Sequence, residues 1–156
     1  MLIYLCRHGQ AESRAASDRE RQLTAAGRAD NRRLAAQLQA RAPEIDLALC
    51  SPYPRAQQTA EDLQSVLSPL RFNASDSLTP GYEVRKLVSL LDDLAETTNI
   101  ESVILVGHNP LFSSLLNLLL EGEEQGSRML GTSHLACIEG KFIAPGFAEL
   151  RYLLTP

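Results

Sequence analysis

The sequence has no apolar run that could span a bilayer, which takes about 20 residues. Its longest apolar block, residues 111–120, is interrupted by Ser113, Ser114 and Asn117. The opening apolar run is shorter still and follows no basic leader, so we expect no secretory signal and no membrane partner. These absences favour a cytoplasmic protein.

A basic stripe, paired cysteines and closely spaced histidines are missing as well. The formal net charge is −4 and the two signs are mixed along the chain, so we expect no nucleic-acid partner. Cys6, Cys50 and Cys137 are odd in number and widely spaced, which predicts buried free thiols rather than a disulfide framework. The three histidines lack metal-ligand spacing such as His-x-x-x-His, and we expect neither a metal nor a cofactor.

Repeats, low-complexity tracts and linkers are also absent from the chain. Its 156 residues therefore predict a single domain over 1–156, large enough to bury a substantial core. Because the sequence shows no obvious apolar patch beyond that core, we expect a monomer.

Strand-like and helix-like segments alternate, which predicts βαβ units and a largely parallel sheet. Strands are predicted at residues 2–6, 45–50, 71–74 and 102–106, with an antiparallel pair at 133–139 and 147–154. Helices are predicted from the N-cap Thr24 to about Ala42, at 54–67, at 83–96 and from Pro110 onward.

Three of the predicted strands end in residues suited to binding an anion. Arg7-His8-Gly9 follows the first strand, Ser51-Pro-x-x-Arg55 the second, and Gly107-His108-Asn109-Pro110 the fourth. The ends of parallel strands share one edge, where α/β sheets bind ligands. Two imidazoles, two guanidinium groups and two helix N-termini would meet there, and this combination suits a phosphoryl group.

These segments and two others carry a resemblance to a known family. The motifs are Arg7-His8-Gly9, Arg21-x-Leu-Thr-x-x-Gly27, Ser51-Pro-x-x-Arg55-Ala-x-Gln-Thr59, Leu78-Thr-Pro80 and Gly107-His108-x-Pro110. Together they resemble the histidine phosphatase superfamily, the family of phosphoglycerate mutases and acid phosphatases, up to about residue 120. The compact length and the Ala15-Ala-Ser-Asp18 stretch are most similar to its SixA branch of phosphohistidine phosphatases.

The resemblance implies a fold and a set of roles. The fold would be a three-layer α/β arrangement, with a mostly parallel mixed sheet flanked by helices on both faces. His8 would be the nucleophile, first phosphorylated and then hydrolysed. Arg7, Arg55 and His108 would bind the phosphoryl oxygens.

Larger members of the family carry a carboxylate that protonates an oxygen leaving group, and the candidate here by position is Glu83. SixA-type proteins resemble this chain in lacking a clear equivalent. A phosphoramidate N–P bond breaks readily once its nitrogen is protonated, so such a substrate has less need of a dedicated acid than an ester has.

Three further polar residues are candidates for substrate contact, and each has a simpler interpretation. Arg21 either lines the mouth of the pocket or is a solvated loop arginine. Ser51 either contacts substrate or caps its turn, and Gln10 either contacts substrate or belongs to the solvated loop at 10–22. His134 matches no motif and is interpreted as structural.

Cys50 is an alternative candidate for the nucleophile. The spacing Cys50-x4-Arg55 is one residue short of the Cys-x5-Arg loop of thiol phosphatases. Pro52 and Pro54 also remove two of the backbone N–H donors that such a loop requires. Cys50 is therefore interpreted as a buried thiol at the end of a strand.

The leading hypothesis is a phosphatase that uses a phosphohistidine intermediate and acts on phosphohistidine of a signalling protein in a phosphorelay. A broad phosphatase for small phosphomonoesters and a phosphoglycerate mutase-like enzyme remain alternatives, although a mutase would need extra loops. A phosphate-binding module would not require His8. A metal-dependent hydrolase would place a cation beside Arg7 and Arg55, which would repel it.

Overall fold

One mixed sheet of six strands forms the centre of the molecule. The structure, a computed structural model, describes residues 1–41 and 43–156. The strands are β1 (Leu2–Arg7), β2 (Leu47–Cys50), β3 (Asn73–Ala74), β4 (Ser102–Gly107), β5 (Leu135–Gly140) and β6 (Ala148–Leu154). Their order across the sheet is β3-β2-β4-β1-β5-β6.

The sheet has a parallel half and an antiparallel half. Strands β3, β2, β4 and β1 pair in parallel, whereas β5 is antiparallel to both β1 and β6. The prediction of a mostly parallel mixed sheet with an antiparallel C-terminal pair is thereby confirmed. The all-apolar centre of β4 is buried on both faces, as expected for a central parallel strand.

Four helices cover the sheet, two on each face. They are α1 (Ala25–Gln39), α2 (Pro54–Gln64), α3 (Val84–Thr97) and α4 (Leu111–Glu121). Leu34 and Leu38 of α1 and Leu63 of α2 pack on one face of the sheet. The apolar stripes of α3 and α4 pack on the other, around Leu91 and Phe112. The three-layer arrangement is therefore confirmed.

Helix starts follow the local signals in the sequence. The Thr24 side chain accepts a hydrogen bond from the Gly27 N–H at 3.0 Å, so Thr24 is the N-cap of α1. Pro54 occupies the first turn of α2, where its missing N–H costs nothing. Glu83 is the N-cap residue of α3, and Pro110 takes the same position before α4.

Several predicted boundaries are wrong by a few residues. β2 begins at Leu47 because Asp46 instead accepts hydrogen bonds from the backbone before β4. β3 keeps only two residues, since the Phe72 N–H donates to the side chain of Gln64. β5 begins after Ser133, whose φ of 57° is left-handed. α2 ends at Gln64 rather than residue 67.

Helix α1 and the loop that follows β1 also differ in detail from the predicted elements. The body of α1 ends at Gln39, and the predicted end at Ala42 lies outside the described residues. The loop at 10–22 contains a short 3-10 turn, Asp18–Glu20. In the part of the chain that the structure describes, no helix is both long enough and apolar enough to cross a membrane.

Candidate active site

The register of the parallel strands brings the two candidate histidines together. Arg7, the last residue of β1, pairs with Gly107, the last residue of β4. His8 and His108 therefore leave the sheet side by side, and their ring centroids lie 4.9 Å apart. Cys50 pairs with Val106, so β2 ends at the same edge and α2 begins next to both rings.

His8 has the protonation state of a nucleophile. Its Nδ1 lies 2.7 Å from the Gly9 carbonyl, an acceptor only, and its Nε2 receives the Nε–H of Arg55 at 3.2 Å. These partners assign the hydrogen to Nδ1 and leave a lone pair on Nε2. Burial, and then the charges of Arg55 and Arg7, lower the pKa of His8 to about 4. The ring is therefore neutral at pH 7.

Arg55 is held in place by the loop that follows β1. Its side chain is buried, at 4% relative exposure, within the first turn of α2. Nη1 donates to the Asp18 carbonyl at 2.6 Å and Nη2 to the Asp18 carboxylate at 3.0 Å. These two bonds orient the guanidinium so that its third edge faces His8. A cation at a helix N-terminus opposes the helix dipole, which a bound anion would offset.

His108 is the second imidazole of the site and is almost fully buried. Its Nε2 lies 2.8 Å from the Ser51 hydroxyl, which also accepts the Tyr53 N–H. Burial, followed by the proximity of His8 and Arg55, lowers the pKa of His108 to about 3. No described residue bonds its Nδ1, which leaves this atom free for a ligand.

Arg7 supplies a second guanidinium from the end of β1. Its Nη1 donates to the Leu130 carbonyl at 2.9 Å, and the Asn109 side chain donates to the same oxygen. Within residues 1–41 and 43–156, the buried Nε of Arg7 has no partner. The ends of β1 and β4 are thus both bonded to the loop that contains Leu130. The Nε–H of Arg7 can still donate to a ligand.

A buried polar network supports the turn after His8 from behind. The Gly9 N–H donates to Thr59 of α2 at 3.0 Å, and Asn31 of α1 donates to the same hydroxyl at 3.3 Å. Asn31 also bonds Asp62 and Ser133. A Cβ on Gly9 would lie only 2.8 Å from the Asn31 side chain, so the close approach requires glycine there.

These side chains surround a cavity of about 330 Å³ at the carboxyl edge of β1, β4 and β2. Its lining comprises Arg7, His8, Gln10, Ala11, Asp18, Arg21, Arg55, Pro80, His108, Asn109 and Thr132. Three guanidinium groups and one carboxylate give the lining a net charge of +2 when both histidines are neutral. This charge matches a phosphoryl dianion.

Six of the eight predicted site residues line this cavity, and two do not. Arg7, His8, Arg55 and His108 form its floor, while Arg21 and Gln10 stand at its rim. Ser51 is fully buried behind His108.

Glu83 lies at the start of α3, exposed and paired with Lys86 at 2.7 Å. The sequence left Ser51 as either a substrate contact or the cap of its turn, and gave Glu83 as the candidate acid. In the structure Ser51 caps its turn by accepting the Tyr53 N–H at 3.3 Å and also bonds His108, whereas Glu83 forms a surface ion pair.

The thiol alternative does not fit the geometry. Cys50 is buried in the strand and lies outside the cavity lining. Burial raises the pKa of its thiol to about 11, so it carries no thiolate at pH 7. The predicted free and buried state of Cys6, Cys50 and Cys137 is confirmed. His134 contributes backbone bonds to Arg7 and Gly131 and does not line the cavity.

Sequence reasoning missed Asp18, Asn109 and Thr132 as cavity residues, and Asn31 as support for the turn after His8. Asp18-x-x-Arg21 was the one available signal, since three-residue spacing suits a charge pair on a helical turn. Thr132 and Asn31 carry no local signal. Among the described residues, no group of three or more His, Cys, Asp or Glu side chains is arranged to hold a metal ion.

Comparisons with known proteins show the family to which the chain belongs. Residues 3–79 match the model of the histidine phosphatase superfamily (branch 1). The phosphohistidine phosphatase SixA of Escherichia coli is 34% identical over 139 residues, which cover 88% of this chain and 84% of that protein.

Solved structures extend the match over the whole chain. A structure of the protein histidine phosphatase SixA complexed with tungstate has a TM-score of 0.89 at 30% identity, covering 100% of this chain and 97% of that one. The alpha-ribazole phosphatase from Shigella flexneri shares the fold, with a TM-score of 0.78 at 19% identity, covering 98% and 96% of the two chains. The chain therefore belongs to the histidine phosphatase superfamily, as a SixA-like enzyme.

Proposed function

We propose that this enzyme removes the phosphoryl group from phosphohistidine on a signalling protein, with His8 as the nucleophile. The observation that carries the proposal is the neutral imidazole of His8, whose Nε2 lone pair lies among the guanidinium groups of Arg55 and Arg7. A neutral nitrogen can attack an anionic phosphoryl group once cations reduce the charge that opposes the approach.

The reaction proceeds in two transfers. Nε2 of His8 bonds to phosphorus while the N–P bond of the substrate breaks, and its electron pair stays on the substrate nitrogen. Water then attacks phosphorus, the bond to His8 breaks, and phosphate leaves. Arg7, Arg55 and the free Nδ1 of His108 hold the phosphoryl oxygens in both steps. Positioning and charge neutralisation supply most of the catalysis of phosphoryl transfer.

The lack of a suitable acid favours a nitrogen leaving group. Among the described residues that line the cavity, Asp18 is the only carboxylate. Hydrogen bonds from Arg21 and Arg55 lower the pKa of Asp18, so it holds no proton to give at pH 7. Without such an acid, an ester oxygen would have to leave unprotonated, which is unfavourable. An imidazole nitrogen leaves readily without a proton from the protein. The SixA name of the Escherichia coli relative points to the same substrate class.

We also propose that the enzyme is cytoplasmic and monomeric. Three free, buried thiols suit a reducing compartment, where a phosphorelay protein would also be met.

Relative rates on three substrates test the proposal. We expect kcat/KM for a phosphohistidine peptide to exceed the values for a phosphoserine peptide and for a small sugar phosphate by at least about 100-fold, because only the first has a nitrogen leaving group. Equal rates, or a preference for either ester, would contradict the phosphohistidine assignment.

His8→Ala is the control for the mechanism. It should abolish turnover of all three substrates, and rapid quenching of the unmodified enzyme should trap an acid-labile phosphoryl adduct on His8. Cys50→Ser should turn over normally. Activity that survives in His8→Ala, or an adduct on another residue, would refute the role of His8.

A further inference from the structure

We propose that the Asp18 carboxylate accepts a hydrogen bond from the N–H of the substrate's imidazolium ring, and that it thereby selects a nitrogen leaving group over an oxygen one. This inference rests on the proposed function, because it concerns the leaving side of the same cavity. It makes Asp18 a specificity residue in contact with the substrate.

The position of Asp18 supports this role. It lies on the 3-10 turn that covers the site, lines the cavity with His8 and Arg55, and has a side chain that is 61% exposed. One carboxylate oxygen accepts from Arg55 at 3.0 Å and the other from Arg21 at 3.1 Å. Each oxygen has a second lone pair, so the carboxylate can accept another donor from the open side.

The charge state of Asp18 suits an acceptor rather than an acid. Its two arginine partners lower its pKa and keep it ionised. An ionised carboxylate stabilises a cationic ring in the same way that it stabilises a protonated histidine. Protonation of the ring at its free nitrogen is the change that weakens the N–P bond.

The imidazole of His8 and the imidazole of the substrate would then each donate their N–H to an oxygen acceptor of the protein. Nδ1–H of His8 donates to the Gly9 carbonyl at 2.7 Å, which stabilises His8 as an imidazolium once Nε2 carries phosphorus. Asp18 would do the same for the substrate ring on the opposite side. When the N–P bond breaks, its electron pair neutralises that ring, which departs with its N–H intact. No additional proton is needed from the protein.

Asp18→Asn tests this role with little change in shape. The variant keeps the backbone carbonyl that accepts from Arg55 Nη1, and the amide oxygen can still accept from one arginine. Glu20→Gln is the matched control, because it makes the same charge change on the same 3-10 turn outside the cavity lining. Both variants are assayed on a phosphohistidine peptide and on p-nitrophenyl phosphate, whose leaving group has no N–H.

We expect Asp18→Asn to lose about 10- to 100-fold more kcat/KM on the phosphohistidine peptide than on p-nitrophenyl phosphate, the usual cost of a lost hydrogen bond to a charged group. The alkaline limb of its kcat profile on the peptide should move to lower pH, since the substrate ring loses the anion that kept it protonated. Glu20→Gln should show neither change.

Parallel losses on both substrates with an unmoved pH profile would overturn the inference, because they would mean that Asp18 only orients Arg55. Failure of the proposed function has a different signature, in which the unmodified enzyme shows no preference for phosphohistidine. An Asp18→Asn variant as active on the peptide as the unmodified enzyme would also overturn the inference.

Discussion

The chemistry of His8 depends on what surrounds it more than on the imidazole itself. An exposed histidine with a pKa near 6.5 would be partly protonated and blocked in mildly acidic conditions. Burial and the neighbouring cations keep the pKa of His8 near 4 and that of His108 near 3. Burial and the same cations that would bind the phosphoryl group therefore keep the proposed nucleophile unprotonated.

Titration of the ring tests this account of His8. In the folded enzyme, the imidazole resonances of His8 followed by NMR should titrate near pH 4 rather than near 6.5. His8→Asn identifies the signal. Because the unfolded chain binds protons at higher pH, the free energy of unfolding should fall as pH drops from about 6.5 toward 4. A His8 midpoint near 6.5 would contradict the proposed electrostatic environment.

Helices α1 and α2 form a rigid backing for the turn that carries His8. Asn31, fully buried in α1, donates to Thr59 and Asp62 of α2 and accepts from Ser133. Arg28 of α1 adds an ion pair to Asp62 at 3.0 Å. Because Thr59 also receives the Gly9 N–H, the packing of the two helices holds the backbone of the turn after His8.

Asn31→Ala should therefore lower both stability and activity. Removal of the amide leaves one carboxylate oxygen of Asp62 and the buried Ser133 hydroxyl without their partner, which should reduce the free energy of unfolding by about 1–3 kcal/mol in urea titrations. We expect kcat to fall and KM to change little, because the His8 turn loses its support while the cavity lining stays. Asn73→Ala, at an exposed position, is the control and should change stability by less than about 0.5 kcal/mol. A stable, fully active Asn31→Ala variant would contradict this role.

Elements with strong local signals were predicted well, and those set by distant contacts were not. Strand β4 was recognisable because four consecutive apolar residues suit a buried parallel strand, and Thr24 because its side chain caps its own helix. The first half of the predicted third strand is loop, since Phe72 bonds to Gln64 in a way that no local pattern encodes. Local chemistry thus located the elements, and tertiary contacts determined where they end.

In the candidate site, too, residues with a local sequence signal were predicted, and residues placed by distant contacts were not. Arg7, His8, Arg55 and His108 were predicted from motifs at strand ends, because parallel strands bring such ends to one edge. The bond between Arg55 and Asp18 joins residues 37 positions apart through a loop without a regular pattern. The sequence could not decide between the two roles of Ser51 or place Glu83 outside the cavity, since the surroundings of both residues depend on how the helices pack on the sheet.

Binding of an oxyanion should stabilise the entire fold, because the cavity joins the ends of β1 and β4, the start of α2, and the loops that carry Asp18, Pro80 and Thr132. Tungstate at about 100 times its Kd should contribute about 2.7 kcal/mol, which corresponds to a rise in Tm of roughly 5–10 °C for a domain of this size. Arg7→Ala should abolish most of the rise. Arg151→Ala, which removes an exposed arginine of β6, should retain it. Equal shifts in both variants would contradict a tungstate site in this cavity.

The residues that line the cavity come from two kinds of structural element. His8, His108 and Arg7 follow directly from strands in the middle of the sheet, whereas Gln10, Asp18 and Arg21 belong to a single surface loop. Outside Asp18, which holds Arg55, we expect substitutions in that loop to alter substrate preference while the sheet keeps His8 in place. In evolution or in the laboratory, this protein could be redirected to new substrates by exchanging one short stretch of chain.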